Sequence, residues 1–152
     1  MLSQKSKYGL KAIAVLAQEY GNGPILISDI ARREGIPRKF LELILLELKN
    51  EGILQSKKGK GGGYFLGQPA NLVSVGHVIR TLDGPIAPLP CVSKTAYMRC
   101  RECGDERTCG IRMVMQQVRD ATAQILDSTS VADMLLRVES ATSGKDPLSF
   151  FI

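Results

Sequence analysis

Apolar residues at Leu10, Ile13, Leu16, Ala17 and Tyr20 recur every three or four positions and so share one helix face. The pattern predicts a helix over residues 3–20, stopped by Gly21-Asn22-Gly23-Pro24. Ile25-Leu26-Ile27 predicts a brief extended piece, and Ser28 stands where an N-cap would open a two-turn helix ended by Gly35. Beyond the tight break Gly35-Ile36-Pro37, the residues Phe40, Leu41, Ile44, Leu45 and Leu48 return to helical spacing until Gly52. Residues 53–56 and 64–66 read as two strands, and the connection Lys57-Lys58-Gly59-Lys60-Gly61-Gly62-Gly63 is basic and nearly free of side chains. Two short helices joined by a glycine-containing turn are the helix-turn-helix pattern, though any helical hairpin shares it. The hairpin makes it a winged helix-turn-helix: its glycines let backbone approach a phosphate chain while its lysines neutralise that chain. A solvated turn with a chance charge run is the plainer alternative. A nucleotide-cradling loop fits worse, because the glycines are not followed by Lys-Ser/Thr and a helix.

Ser74 then caps a helix with Val75, Val78, Ile79 and Leu82 on one face, ended by Gly84-Pro85. Pro85, Pro88 and Pro90 forbid regular structure, and residues 91–109 are polar and without period, which predicts a loop. Over residues 111–127, Ile111, Val114, Met115, Val118, Ile125 and Leu126 keep helical spacing. Such a stripe can pack on its own domain or pair across a two-fold axis, which would set two recognition helices about one DNA turn apart. A last helix is predicted over residues 131–140. The fold class is therefore mainly α with a small β-hairpin. The division is a winged helix-turn-helix domain at 1–84, a cysteine-bearing sensor loop at 85–110, a dimerisation helix and packing helix at 111–140, and a flexible tail at 141–152.

Charge sharpens this division. The net charge is +5, and residues 1–66 carry 11 Lys/Arg against 6 Asp/Glu while the remainder carries 9 against 9. A basic head followed by a neutral part suits DNA binding followed by assembly or sensing. No stretch approaches the roughly 20 apolar residues of a membrane span, and the N-terminus lacks a signal-peptide core, so the expected location is the cytoplasm. An enzyme is not expected: the single histidine, His77, has no nucleophile or acid placed beside it by sequence, and Cys100-Arg101-Glu102-Cys103 lacks a βαβ context.

The four cysteines, Cys91, Cys100, Cys103 and Cys109, fall in one window with spacing C-x8-C-x2-C-x5-C. In a reducing compartment such clustering favours a metal or redox site over structural disulfides. Four thiolates complete a four-coordinate site that serves zinc or an iron-sulfur cluster, and thiol-disulfide sensing without metal stays open beside them. Arg99, Arg101, Arg107 and Arg112 are expected to lower the thiol pKa values.

The strings Tyr8-Gly9-Leu10-Lys11-Ala12, Ile30-Ala31, Ile36-Pro37-Arg38-Lys39-Phe40-Leu41-Glu42 and, above all, the Gly-rich run from Ser56 through Tyr64-Phe65-Leu66-Gly67 resemble the Rrf2 family of bacterial winged-helix regulators, over about residues 1–140. The resemblance implies a homodimer on a double-stranded DNA operator, usually as a repressor. It implies that the helix beginning near Pro37 enters the major groove, where Arg38, Lys39 and Glu42 can reach base edges, while Lys5, Lys7, Lys57, Lys58 and Lys60 hold phosphates or probe the minor groove. Cluster-binding members carry their ligands in the region of the cysteine window, so the resemblance implies an iron-sulfur cluster on Cys91, Cys100, Cys103 and Cys109 near the dimer interface. Two departures stand out. Those members commonly space three cysteines as C-x5-C-x5-C with a non-cysteine fourth ligand, and the position three after Cys109 holds Arg112, which stays protonated and does not ligate. The alternative reading is a zinc-bearing or metal-free regulator that acts by thiol oxidation or by binding a partner enzyme of cysteine metabolism.

Overall fold

Ser3 opens the first helix, its hydroxyl accepting from the Ser6 N–H at 3.0 Å, and α1 spans Gln4–Gln18. In the computed structural model, which describes residues 2–144, five further helices and one hairpin follow: α2 (Ile27–Glu34), α3 (Arg38–Asn50), β1 (Leu54–Lys57), β2 (Gly63–Leu66), α4 (Val75–Asp83), α5 (Gly110–Ser128) and α6 (Val131–Thr142). The mainly helical architecture with one two-stranded antiparallel sheet agrees with the periodicity of the sequence.

The core sits where α1, α2, α3, the hairpin and α4 converge. Ile13, Leu16, Ile30, Leu41, Ile44, Leu45, Leu48, Ile53, Leu54, Leu66, Val73 and Val78 are fully buried there, each contributing about 1.5–3 kcal/mol by leaving water. Gly9 lets α1 lie close to its neighbours, since a Cβ at that position would run into the Leu82 side chain of α4. Val131 of α6 joins the same cluster.

The start of α2 departs from the expectation. Leu26, not Ser28, is its N-cap, and no side chain caps it. The reason is non-local: Ile25 exchanges both backbone hydrogen bonds with Tyr64 of β2, each 2.8 Å, and the chain must turn into the helix directly after that bridge. Gly35 ends α2 in the left-handed region at φ 64°, where glycine carries no Cβ penalty.

In the hairpin, Leu54 pairs with Leu66 and Lys57 with Gly63, so Lys57 closes β1 and does not belong to the loop. Side chains at Gly62 and Gly63 would overlap the carbonyls of Lys57 and Ile25 respectively, so the tip is tight because it is glycine.

Two 3-10 turns, Pro90–Val92 and Glu106–Thr108, bracket the otherwise irregular cysteine segment. A short stitch fixes the α5–α6 corner to α4: the Val75 N–H donates to Thr129 at 2.9 Å, and that of Val131 to Val73 at 2.8 Å. The Ser130 hydroxyl and Asp133 carboxylate form a capping box that starts α6. Because α6 runs on to Thr142, part of the predicted tail is helical, and residues 145–152 lie outside the described residues.

Candidate nucleic-acid interface and cysteine segment

Leu41, Ile44, Leu45 and Leu48 anchor α3 in the core, so its opposite side is turned outward. Arg38, Lys39 and Glu42 are all exposed on that side. Arg38 and Glu42 pair with each other, Nε to Oε1 at 3.3 Å, one helical turn apart. An exposed pair of this kind is worth about 0.3–0.5 kcal/mol, little enough for a base edge to compete for either partner. Lys39 has no ion pair among the described residues.

The lysines expected at phosphates divide into two groups. Lys7, Lys57, Lys58 and Lys60 are exposed and form no ion pair among the described residues. Lys5 differs: it is half-buried and its Nζ lies 2.7 Å from Glu47 Oε1, which ties α1 to α3. The wing tip at Gly61 and Gly62 shares a shallow cleft with Leu26 and Arg33, so the hairpin leans on the start of α2.

The cysteine segment is built around α5. Cys109 is the N-cap of that helix, its sulfur accepting from the Arg112 N–H at 3.5 Å. The Arg112 guanidinium donates to the Cys91 carbonyl at 3.3 Å, and Arg119 one further turn pair along donates to the Val92 carbonyl. These two arginines pin the Pro90–Val92 turn against α5 and leave Cys91 buried, whereas Cys100 is exposed and Cys103 and Cys109 are half-buried. Sequence reasoning assigned Arg112 no ligand role and missed this clamp.

Partial burial, and then the neighbouring thiols of Cys109 and Cys100, push the Cys103 thiol up from its ordinary value. The arginine-rich surroundings predicted the opposite. The guanidiniums are turned elsewhere: Arg107 to Asp105 at 3.2 Å, Arg99 to the Gly104 carbonyl and Arg112 to Cys91. Cys100, Cys103 and Cys109 thus share one neighbourhood, while no set of three or more His, Cys, Asp or Glu residues among the described residues is already arranged as a metal site. His77 lies on the surface of α4 with Nε2 3.4 Å from Glu51 Oε1.

No residue of the 19-residue helix α5 is buried. Ile111 is 69% exposed, Val114 53% and Ile125 62%, so much of the stripe read from the sequence is left uncovered by its own chain, while Met115 and Leu126 are half-buried. At its far end α5 is tied back to the head by the Arg80–Asp127 pair, with Nη2 to Oδ2 at 2.9 Å. The Arg80 hydrogen bonds hold the Asp127 carboxyl below its usual range. An open cleft of about 650 Å3 beside this helix is lined by Leu2, Ile79, Ile86, Val118 and Leu126, among others. No helix among the described residues is long and apolar enough to cross a membrane.

The Rrf2 family profile, described as that of an iron-dependent transcriptional regulator, matches residues 2–137. An rrf2-like HTH-type transcriptional regulator of Rhodobacter capsulatus is 44% identical over 138 residues, covering 89% of this chain and 92% of that protein. The structure of CymR, the global cysteine regulator of B. subtilis, superposes with a TM-score of 0.73 at 31% identity, covering 88% of this chain and 95% of that one. T. potens IscR superposes at 0.74 with 29% identity, covering 93% and 90%.

Proposed function

The chain belongs to the Rrf2 family of transcriptional regulators, and from that premise we propose that it binds a double-stranded operator as a homodimer, with the cysteine segment setting how the two heads are held. It is a DNA-binding regulator and not an enzyme. The observation that carries the proposal is the placement of α5. Its first turn is capped by Cys109, its last turn is tied to α4 through Arg80–Asp127, and its apolar stripe is open to a second copy. A change at the thiols therefore has a covalent and hydrogen-bonded route to the head, and a partner helix would relay it to a second head.

Base reading falls to Arg38, Lys39 and Glu42, and phosphate neutralisation to Lys7, Lys57, Lys58 and Lys60. Lys5 keeps a positioning role through Glu47. The residue types of the cysteine segment suit a soft, thiolate-bound group, which Cys100, Cys103 and Cys109 would hold with Cys91 as the candidate fourth ligand, although among the described residues these side chains are not already arranged as a metal site. An iron-sulfur cluster there would supply a one-electron, oxidant-sensitive link between these sulfurs. The chain's own residues do the rest. Arg112 holds the Cys91 backbone and the Cys109 cap together, so whatever engages either cysteine acts on the first turn of α5.

A second reading is favoured by the closeness of the Cys103 and Cys109 thiols, which hydrogen-bond to each other: a two-electron oxidant can join these two cysteines as a disulfide, with no metal involved. Anaerobic purification with iron and sulfide assay separates the two, followed by duplex binding of loaded and stripped protein across a salt series. A brown protein whose loading changes duplex affinity supports the cluster. A colourless protein whose affinity changes only on oxidation, with loss in Cys103→Ser, supports the dithiol. Equal binding in all states would overturn both sensing readings and leave the regulator without a sensor in this segment.

A further inference from the structure

The outward side of α3 carries something a solvent-facing helix surface ordinarily lacks. Lys39, Leu43 and Leu46 follow one another at four and three residues, so they form a single ridge, and Leu43 is 60% and Leu46 46% exposed. The core does not need them, since Leu41, Ile44, Leu45 and Leu48 fill the inward side completely. The polar neighbours are partly occupied with one another, because Arg38 pairs with Glu42. Beside that pair, the outer surface of the second helix of the helix-turn-helix carries a lysine with no ion pair among the described residues and two leucines.

Leucine forms no hydrogen bond, and the major-groove feature that rewards an aliphatic side chain is the thymine C5-methyl group. We propose that Leu43, flanked by Leu46, is a specificity residue that reads thymine methyl groups in each operator half-site. The inference rests on the reading that α3 enters the major groove. The second helix of this motif places its early residues at base edges, and Leu43 is the sixth residue of α3. Lysines 57, 58 and 60 of the wing supply the sequence-independent attraction that such an apolar reader lacks. The preference for thymine is then set by methyl burial, and cytosine at the same place offers no methyl group to cover.

The test uses the full chain and a random-sequence duplex pool. Selected sites should carry thymine at symmetry-related positions. Replacing those thymines by deoxyuridine, which removes only the methyl group, should weaken wild-type binding about fourfold per half-site, the effect of one buried methyl group. Leu43→Ala should lose affinity for the thymine site and become indifferent to deoxyuridine. Leu43→Gln should move the selected base toward adenine, because a glutamine can bond adenine N6 and N7. Leu43 is exposed and alanine is the better helix former, so an unchanged unfolding midpoint is expected and serves as the folding control. Wild-type binding that ignores deoxyuridine, or an equal loss on both sites in Leu43→Ala, overturns this inference alone and turns the ridge toward a protein partner. Failure of the wild type to bind any duplex at low salt overturns the operator reading together with it.

Discussion

The head's α3 and the α5 helix both carry apolar residues at helical spacing, yet they use them in opposite ways. In α3 every inward leucine and isoleucine is fully buried by the same chain, whereas α5 buries none of its residues. A helix in water owes most of its stability to tertiary packing of one face, so α3 is self-sufficient and α5 is not. The head is thus packed by its own chain, and α5, capped by Cys109, presents the open stripe on which the proposed dimer rests.

The largest expected effect breaks that contrast at its centre. Val118→Glu places a charge on the open stripe and in the cleft beside Leu2 and Ile79. In a two-fold assembly the substitution occurs twice, and neither carboxylate gains a partner. The expected outcome is a halved mass in sedimentation, an operator affinity lower by about 100-fold or more, and near-UV circular dichroism of the head unchanged. The same substitution at Leu45, in the head, should unfold the protein altogether. If Val118→Glu also unfolds the head, α5 is part of its core and the contrast is wrong.

A smaller effect sharpens the seam between the two regions. Arg80 of α4 and Asp127 of α5 form a two-pronged pair, and the Asp127 carboxyl is held low by it. A carboxyl whose folded pKa is depressed contributes stability above its unfolded pKa, near 3.9. That contribution is lost as pH falls through the folded value. Arg80→Ala should therefore lower stability by about 0.5–1 kcal/mol at pH 7, the pair being partly exposed, and the deficit should close in strong acid. Urea unfolding at the two pH values checks it; a deficit independent of pH would mean that Arg80 acts by packing.

Much of the head was legible because its signals are local. Glycines at 35, 62 and 63 mark positions where backbone conformation or close approach excludes a side chain, and the spacing from Phe40 to Leu48 fixes the inward face of α3. What escaped were the partnerships between distant segments. Ser28 has the chemistry of a cap, yet the Ile25–Tyr64 bridge decides where α2 begins. Lys5 reads as a free cation in the sequence, whereas the crossing of α1 and α3 brings it to Glu47. In the candidate sensor, spacing grouped four equivalent cysteines, while the Arg112 and Arg119 clamps set Cys91 apart. The exposed leucines of α3 were visible as residues but not as a surface, because a helix with apolar residues on both sides reveals its outer face only once the inner one is packed.

The smallest expected effect follows from the difference between Lys5 and Lys58. Both were expected at phosphates, but Lys5 is already neutralised at 2.7 Å by Glu47, and Lys58 is exposed on the wing without an ion pair among the described residues. Counterion release depends on charges that actually neutralise phosphate, so each such lysine contributes about one unit to the slope of log affinity against log salt. Lys58→Ala should flatten that slope by about 1 per contact and weaken all duplex sequences alike. Lys5→Ala should leave the slope nearly unchanged and show its cost in stability, through the lost link between α1 and α3. A flattened slope in Lys5→Ala would mean that DNA takes the lysine from Glu47, so that the α1–α3 seam opens on binding. Charge would then act on the head's packing as well as on its affinity.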